Sequence, residues 1–318
     1  MQENHHSEPS NWLNILSKLI SLFGFFLLGS FIGQFVGLVC VIIQTEMYQG
    51  TATNQQVLTQ QMMLFLQKPQ DYLNGQKAML GFQWFSSLFS FVFTAWAYNR
   101  FMNKQTLDDL SPNQIPSWHI VLWSIIALVV SMPLMEYIIQ WNQQIQLPAS
   151  FSEMESSMKS SEEMAGKLTK FLIHFDRPID YVVGMLVIAA LAGLGEELFF
   201  RGILQNLFEK HLNNPHVAIW ASAAVFSFIH FQFYGFFPRL LLGAFFGYLY
   251  VWYRNLWIPI IAHFFNNGFV LTMNYLYQLK KITVDPNQSI NYMPIWTAGI
   301  SLIFVTFYLI RLHKHKTT

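Results

Sequence analysis

The chain has 318 residues, of which 53% are hydrophobic and only 11% are charged, with a formal net charge of +1. Because soluble domains contain about 25% charged residues, this composition excludes an ordinary soluble domain. The near-neutral charge argues against nucleic acid as a partner, and the single cysteine, Cys40, excludes an intramolecular disulfide and multi-cysteine metal sites. We therefore predict an all-α, polytopic membrane protein.

Long stretches without a charged side chain predict the spans. A spanning helix needs about 20 mainly apolar residues, and the charge-free stretch between Lys18 and Glu46 is one of several that are long enough. The sequence predicts eight helices, in chain order over 14–44, 79–99, 118–141, 179–207, 214–233, 237–254, 257–279 and 292–311.

Glycines four residues apart predict where helices approach closely. Gly29, Gly33 and Gly37 lie in the first predicted helix, and Gly243 and Gly247 lie in the sixth. Small residues at this spacing allow two backbones to come near each other in a membrane. We expect them to serve packing within the chain rather than dimerisation.

A long loop over 142–178 is expected to be partly helical, since Ser-Ser-Glu-Glu at 160–163 resembles a helix start and Met164 and Leu168 follow at helical spacing. We expect this helix to lie on the bilayer, with substrate gating as the alternative. The expected organisation is an N-terminal part over 1–178, a four-helix core over 179–280, and a final helix with a basic tail over 281–318.

The expected orientation follows from the short loops. Eight spans place both termini on one side of the bilayer, and the short connections on that side carry Arg100, Lys104, Lys210 and Arg254. Because positive short loops favour the cytoplasmic side, we expect a multi-pass plasma-membrane protein with cytoplasmic termini.

Three ionisable side chains interrupt the fourth predicted helix: Glu196, Glu197 and Arg201. Ionisable groups inside a span are costly and therefore point to function. Glu197 and Arg201 are four residues apart and can pair on one helix face, which would be a structural role. Glu196 points about 100° away from Glu197 and is left as a candidate general base.

Two further polar motifs lie in the following helices. Phe226 and His230 are four residues apart in the fifth predicted helix, and His263 and Asn267 have the same spacing in the seventh. A single buried histidine is most often structural. Two histidines together with Glu196 and an asparagine, on three different helices, favour a functional site.

The order Glu-Glu-x-x-x-Arg, Phe-x-x-x-His, His-x-x-x-Asn resembles the CPBP family of intramembrane proteases, also called the CAAX protease and bacteriocin-processing or abortive-infection family. The resemblance covers about 179–280. It implies that Glu196 is the catalytic glutamate and that His230 binds the water or a metal with it. It further implies that His263 and Asn267 complete the site. The supporting positions are Glu197, Arg201 and Phe226.

The resemblance implies hydrolysis of a peptide bond near the membrane interface, by one of two mechanisms. Glu196 could activate a water while His263 and Asn267 stabilise the oxyanion. Alternatively, Glu196, His230 and His263 could bind zinc, with Glu197 as the base. The His-Glu-x-x-His motif of many zinc proteases is absent from the sequence.

The expected partners are the lipid bilayer and a peptide or membrane-protein substrate, with a prenylated CAAX protein and a peptide precursor both left open. Two alternatives use the same polar residues without proteolysis. One is a non-catalytic immunity or scaffold protein of the same fold. The other is a transporter in which the buried glutamate and histidines carry protons, although the sequence has no evident inverted repeat.

Overall fold

The computed structural model describes residues 12–47, 55–106, 115–286 and 294–314. Within these ranges the chain forms ten helices and no strand, which confirms the all-α prediction. The helices are α1 (Trp12–Gln44), α2 (Gln55–Gln67), α3 (Gly75–Asn103), α4 (Trp118–Gln143), α5 (Ser152–Leu172), α6 (Pro178–Leu212), α7 (Pro215–Phe228), α8 (Phe236–Tyr253), α9 (Trp257–Gln278) and α10 (Ile295–Lys314).

All eight predicted helices are present, and six of the described helices are long and apolar enough to cross a membrane. These are α1, α3, α4, α6, α8 and α10. Two predicted spans, α7 and α9, are not among these six. Helix α7 has only 14 residues, and α9 has 22 residues but carries His263 and three asparagines. The protein is thus an integral, multi-pass membrane protein.

The boundaries of several helices differ from the prediction. The fifth predicted helix ends at Phe228 rather than at 233, so His230 lies in the turn that follows α7 and not inside a helix. Phe231 has a φ of 51°, a left-handed conformation that ends a right-handed helix. The start of the last predicted helix, 292–293, lies outside the described residues.

The glycines of α1 lie against α3, as predicted for packing within the chain. A Cβ at Gly29 would be 2.3 Å from the carbonyl oxygen of Phe89, and one at Gly33 would be 2.7 Å from that of Phe85. The two backbones therefore approach closer than any other residue type would allow.

The long loop contains the helix α5, but this helix starts at Ser152, so the predicted start at 160–163 lies inside it. Leu172 of this helix is buried in a cluster with Val41 and Ala78, and Glu162 accepts a hydrogen bond from the backbone N–H of Tyr234 at 3.4 Å. Helix α5 thus joins the α1–α3 pair to the turn before α8. On its exposed face, the ammonium of Lys159 holds the pKa of Glu155 below its ordinary value.

Helix α6 forms the centre of the bundle, in contact with α3, α7, α8 and α9. Its backbone widens into π-helical stretches over Met185–Leu191 and Leu198–Gln205, and these flank the regular turn Ala192–Glu197. Widened turns of this kind occur frequently at functional sites. The turn that they enclose carries both glutamates.

Candidate active site

A buried ion pair lies at the centre of the site. The side chain of Glu197 is 0% exposed and that of Arg201 is 1% exposed. Nη1 of Arg201 donates to Oε1 of Glu197 at 2.7 Å, and Nη2 donates to the carbonyl oxygen of Gly243 in α8, also at 2.7 Å. The pair expected from the four-residue spacing therefore forms, and it also ties α6 to α8.

His263 of α9 is held by the same carboxylate. Its Nδ1 lies 2.8 Å from Oε1 of Glu197, and its ring stacks on Phe246 with centroids 5.0 Å apart and an interplanar angle of 20°. Because Glu197 is paired with Arg201 and accepts hydrogen bonds only, Nδ1 of His263 is the donor. The opposite ring nitrogen, Nε2, therefore has a lone pair that can accept a hydrogen bond.

Glu196 lies next to that nitrogen. Oε2 of Glu196 is 3.9 Å from Nε2 of His263, and the Glu196 side chain is 15% exposed whereas that of Glu197 is fully buried. A hydrogen bond to oxygen spans about 2.8 Å, so one water located beside the line between the two atoms can reach both. The adjacent glutamates thus differ in kind: Glu197 is enclosed, and Glu196 faces accessible space.

His230 reaches the site through Phe226. Its Nδ1 lies 2.8 Å from the carbonyl oxygen of Phe226, which only accepts, so Nδ1 carries the proton and Nε2 of the neutral ring keeps its lone pair. The Phe226 ring packs edge-on against both imidazoles, with its centroid 5.2 Å from that of His230 and 6.2 Å from that of His263. His230 is also near enough to Glu196 to interact electrostatically with it.

Asn267 has a different set of partners from the other candidates. Its Nδ2 lies 3.4 Å from the carbonyl oxygen of Ile188 in α6, and its Oδ1 accepts a hydrogen bond from Asn266 at 3.2 Å. In this arrangement Asn267 joins α9 to α6 one turn beyond His263. Its amide would have to leave Ile188 before it could donate to a substrate.

The zinc interpretation was tested against the donor geometry. In the described ranges, no three His, Cys, Asp or Glu side chains are grouped closely enough to hold a metal ion. Glu196, His230 and His263 as placed therefore do not form a three-ligand zinc site. The bond from Nδ1 of His263 to Glu197 leaves Nε2 free and does not distinguish the two mechanisms.

A cavity lies elsewhere in the bundle. It has a volume of about 640 Å³ and lies where the end of α1 meets the starts of α3 and α6, with Lys77, Trp84 and Leu186 in its wall. At its rim, Arg177 makes two hydrogen bonds to Asp180. None of the candidate catalytic residues lines it. The convergence of polar groups, rather than cavity size, marks the candidate site.

Comparison with known proteins bears on the same segment. Residues 178–269 match the Rce1-like family of type II CAAX prenyl endopeptidases. A curated relative, the uncharacterized protein YpbD of Bacillus subtilis (strain 168), is 28% identical over 92 residues, which is 28% of this chain and 42% of YpbD. The chain thus matches about two fifths of that relative's length. No solved structure matches the chain.

The Rce1-like match confirms the family resemblance for this segment, which contains Glu196, His230, His263 and Asn267. It does not reach α1 to α5 or α10. The resemblance therefore rests on the central helices alone, where the structure brings the polar groups together.

The sequence did not assign three residues to the site. Phe246 carries the His263 ring, and its own ring centroid lies 5.5 Å from the Arg201 guanidinium. The carbonyl oxygen of Gly243 accepts a hydrogen bond from Arg201. Gly193 allows α6 to approach α9, since a Cβ there would lie 3.1 Å from the backbone N of Phe264. The glycine spacing in α8 indicated close packing there, but nothing distinguished Phe246 among 31 phenylalanines.

Proposed function

We propose that this protein is an intramembrane endopeptidase in which Glu196 activates the attacking water. The observation that carries the proposal is the 3.9 Å approach of Oε2 of Glu196 to Nε2 of His263, whose ring is fixed by Glu197. The family match over 178–269 supports the same reaction class.

In the proposed reaction, the water donates one hydrogen bond to Glu196 and the other to Nε2 of His263. Glu196 takes the first proton as the water oxygen attacks the peptide carbonyl carbon, and it then gives that proton to the leaving amine nitrogen. The fixed carboxylate of Glu197 holds the proton on Nδ1 of His263, so that Nε2 faces the water with its lone pair.

The developing oxyanion needs hydrogen-bond donors. We assign this role to the Nδ2 group of Asn267, which exchanges its long bond to Ile188 for the oxyanion. Loss of one oxyanion donor typically costs about 3–4 kcal/mol of transition-state stabilisation. His230, with the Nε2 lone pair in its neutral form, is assigned to orient the water or the leaving amine.

The proposed substrate is a peptide or a membrane protein cleaved near the bilayer surface. Its finer form is a prenylated protein with a C-terminal CAAX sequence, because the matching family is described as a prenyl endopeptidase. We further propose a location in the plasma membrane with cytoplasmic termini, on the basis of the positive short loops.

The test uses the purified full chain in lipid nanodiscs with a farnesylated, fluorogenic CAAX peptide and an unprenylated peptide of the same sequence. We expect Glu196→Gln to lower kcat by about 10²- to 10⁴-fold, the range of general acid–base catalysis. Glu153→Gln, the same change at an exposed position of α5, is the matched control and should retain full activity.

A Glu196→Gln variant that keeps activity within a factor of three of the wild type would contradict the proposed role of Glu196. A zinc chelator is added in a parallel reaction. Loss of activity with chelator and recovery with zinc would replace the water mechanism with a metal-dependent one.

A further inference from the structure

A second cation lies beside the candidate site. Arg239, in the first turn of α8, is half-buried, and its guanidinium donates to the carbonyl oxygen and to Oε1 of Gln232. In the part of the chain that the structure describes, no carboxylate lies within ion-pair distance of Arg239. Arg239 therefore differs from Arg201, whose charge is neutralised directly by Glu197.

The turn that presents Arg239 is tightly built. A Cβ at Gly235 would lie 2.6 Å from Nη1 of Arg239, so the guanidinium rests directly on this glycine. The buried side chain of Asn142 fixes the turn from both sides, since its Nδ2 donates to Phe233 O at 3.1 Å and its Oδ1 accepts from Phe237 N at 3.0 Å. The position of Arg239 is thus set by the fold.

Arg239 also lies beside the candidate catalytic groups. Its guanidinium bonds to Gln232, which is two residues after His230 in the turn that follows α7. Glu162 of α5 accepts a hydrogen bond from the backbone N–H of Tyr234, so the guanidinium lies where the turn after α7 meets α5. Its charge is within electrostatic range of Glu162 and Glu196. A peptide that reaches Glu196 from this side passes close to it.

The chemistry of the guanidinium identifies the kind of ligand. A half-buried cation is normally paired with an anion, because the desolvation of an unpaired charge is costly. Arginine has five N–H donors in a planar fork that matches a carboxylate, and the bonds to Gln232 use only part of them. The remaining donors are suited to an anionic group that arrives with the substrate.

We propose that Arg239 is a specificity-determining residue that binds a carboxylate of the substrate. The inference rests on the proposed peptidase function, and it names a substrate feature that this function does not require. The carboxylate is either the C-terminal group of the peptide or an acidic side chain near the cleaved bond. Binding at Arg239 would set which peptide bond lies over Glu196.

The first experiment measures binding without turnover. The probe is a fluorescent farnesylated CAAX peptide bound to the Glu196→Gln protein in nanodiscs, and it is displaced by unlabelled peptides with a free C-terminal acid or a C-terminal amide. We expect the acid to bind about 10- to 100-fold more tightly than the amide, the range for hydrogen bonds to charged groups. The same preference should disappear in Glu196→Gln/Arg239→Gln.

A second pair of peptides identifies the source of the carboxylate. In this pair the C-terminus is an amide and one residue near the cleavage site is either Glu or Gln. A preference for Glu that Arg239→Gln abolishes assigns the contact to an acidic side chain. A preference only for the C-terminal acid assigns it to the α-carboxylate.

The matched controls separate recognition from folding. Arg239→Lys keeps the positive charge but loses the planar set of N–H donors, so it should keep part of the preference for the acid. Lys210→Gln removes an exposed cation at the end of α6 and should leave the preference unchanged. The proposal would be overturned, and Arg239 assigned a structural role, if Arg239→Gln weakened the binding of the acid and amide peptides equally and also that of the Glu and Gln peptides equally.

The outcome is independent of the peptidase assay. Wild type could show a binding preference for the acid that depends on Arg239 and yet cleave no peptide. In that case the proposed hydrolysis fails and the carboxylate site stands. If wild type cleaves the acid and amide peptides equally well and the Glu and Gln peptides equally well, and Arg239→Gln does the same, the peptidase function stands and the carboxylate site fails.

Discussion

The α1–α3 pair and the α6–α9 group are held together by opposite means. In α1–α3, the glycines at 29, 33 and 37 bring one backbone against the other. In α6–α9, a carboxylate shared by Arg201 and His263 links three helices. Lipid chains are as apolar as the helix surfaces, so close van der Waals packing is sufficient to hold helices together in a membrane.

Packing alone could therefore have held α6 to α9. A buried charge network is costly in this environment, and replacing it with well-packed apolar residues is often neutral or stabilising. We propose that its presence in one part of the bundle, beside the more exposed Glu196, serves the hydrolysis rather than the packing. The predictions below test this difference by separating stability from activity in each region.

The largest expected effect is on the charge network. Glu197→Ala leaves Arg201 buried without its partner and should lower the free energy of unfolding by about 3–5 kcal/mol. It also removes the acceptor for Nδ1 of His263, so hydrolysis should be lost. Unfolding in denaturing detergent and peptide cleavage measure the two effects.

The double variant Glu197→Leu/Arg201→Met separates the two roles. It removes both charges together, so it should recover most of the lost stability while remaining inactive. A double variant that cleaves peptide at the wild-type rate would show that the network serves packing only.

An intermediate effect is expected in the α1–α3 pair. Gly29→Ala forces a Cβ against the carbonyl oxygen of Phe89 and should lower stability by about 1–3 kcal/mol, the usual cost of overpacking. Gly24→Ala in the same helix is the control, because a Cβ there meets no atom within 4 Å. Activity per folded molecule should be unchanged in both. Equal stability of the two variants would refute the proposed role of the glycine contact.

The smallest expected effect is at the ring that supports His263. Phe246→Leu removes the stacked contact with His263 and the contact with the Arg201 guanidinium, at a cost of about 0.5–1.5 kcal/mol. We expect a several-fold drop in kcat with KM nearly unchanged, since His263 would hold the water less firmly. Phe245→Leu, at the adjacent position in α8, is the control for loss of a ring and should retain kcat.

Hydropathy was sufficient to predict the helical class and the approximate position of all eight predicted helices, because the cost of exposing backbone polar groups to lipid leaves few alternatives. The end of α7 was predicted incorrectly, since the stretch from Phe226 to Phe233 has no Asp, Glu, Lys, Arg, Gly or Pro to mark a helix end. The turn depends instead on the left-handed Phe231 and on contacts of Ser227 and Asn142. The division into parts over 1–178, 179–280 and 281–318 and the orientation in the membrane stay predictions.

The candidate site was predictable in part. The four-residue spacing of Glu197 and Arg201 was enough to predict their pairing, because it is a local property of one helix. The depth of His263 was not, since it lies only six residues after the start of α9. The chain at the start of α9 is already buried at Leu256 and Ile258, each 2% exposed, so α9 begins inside the bundle and His263 comes within 3.9 Å of Glu196.

The sequence by itself determined the membrane class, the helices, the close approach of α1 at its glycines and the set of polar residues that warrant explanation. Only the tertiary structure decided that His263 bonds to the paired Glu197, that Nε2 of His263 lies 3.9 Å from Glu196, and that Asn267 bonds to Ile188. Helix periodicity and hydropathy depend on neighbours along the chain. Contacts such as that between Glu197 and His263 join residues 66 positions apart, and the packing of whole helices sets them.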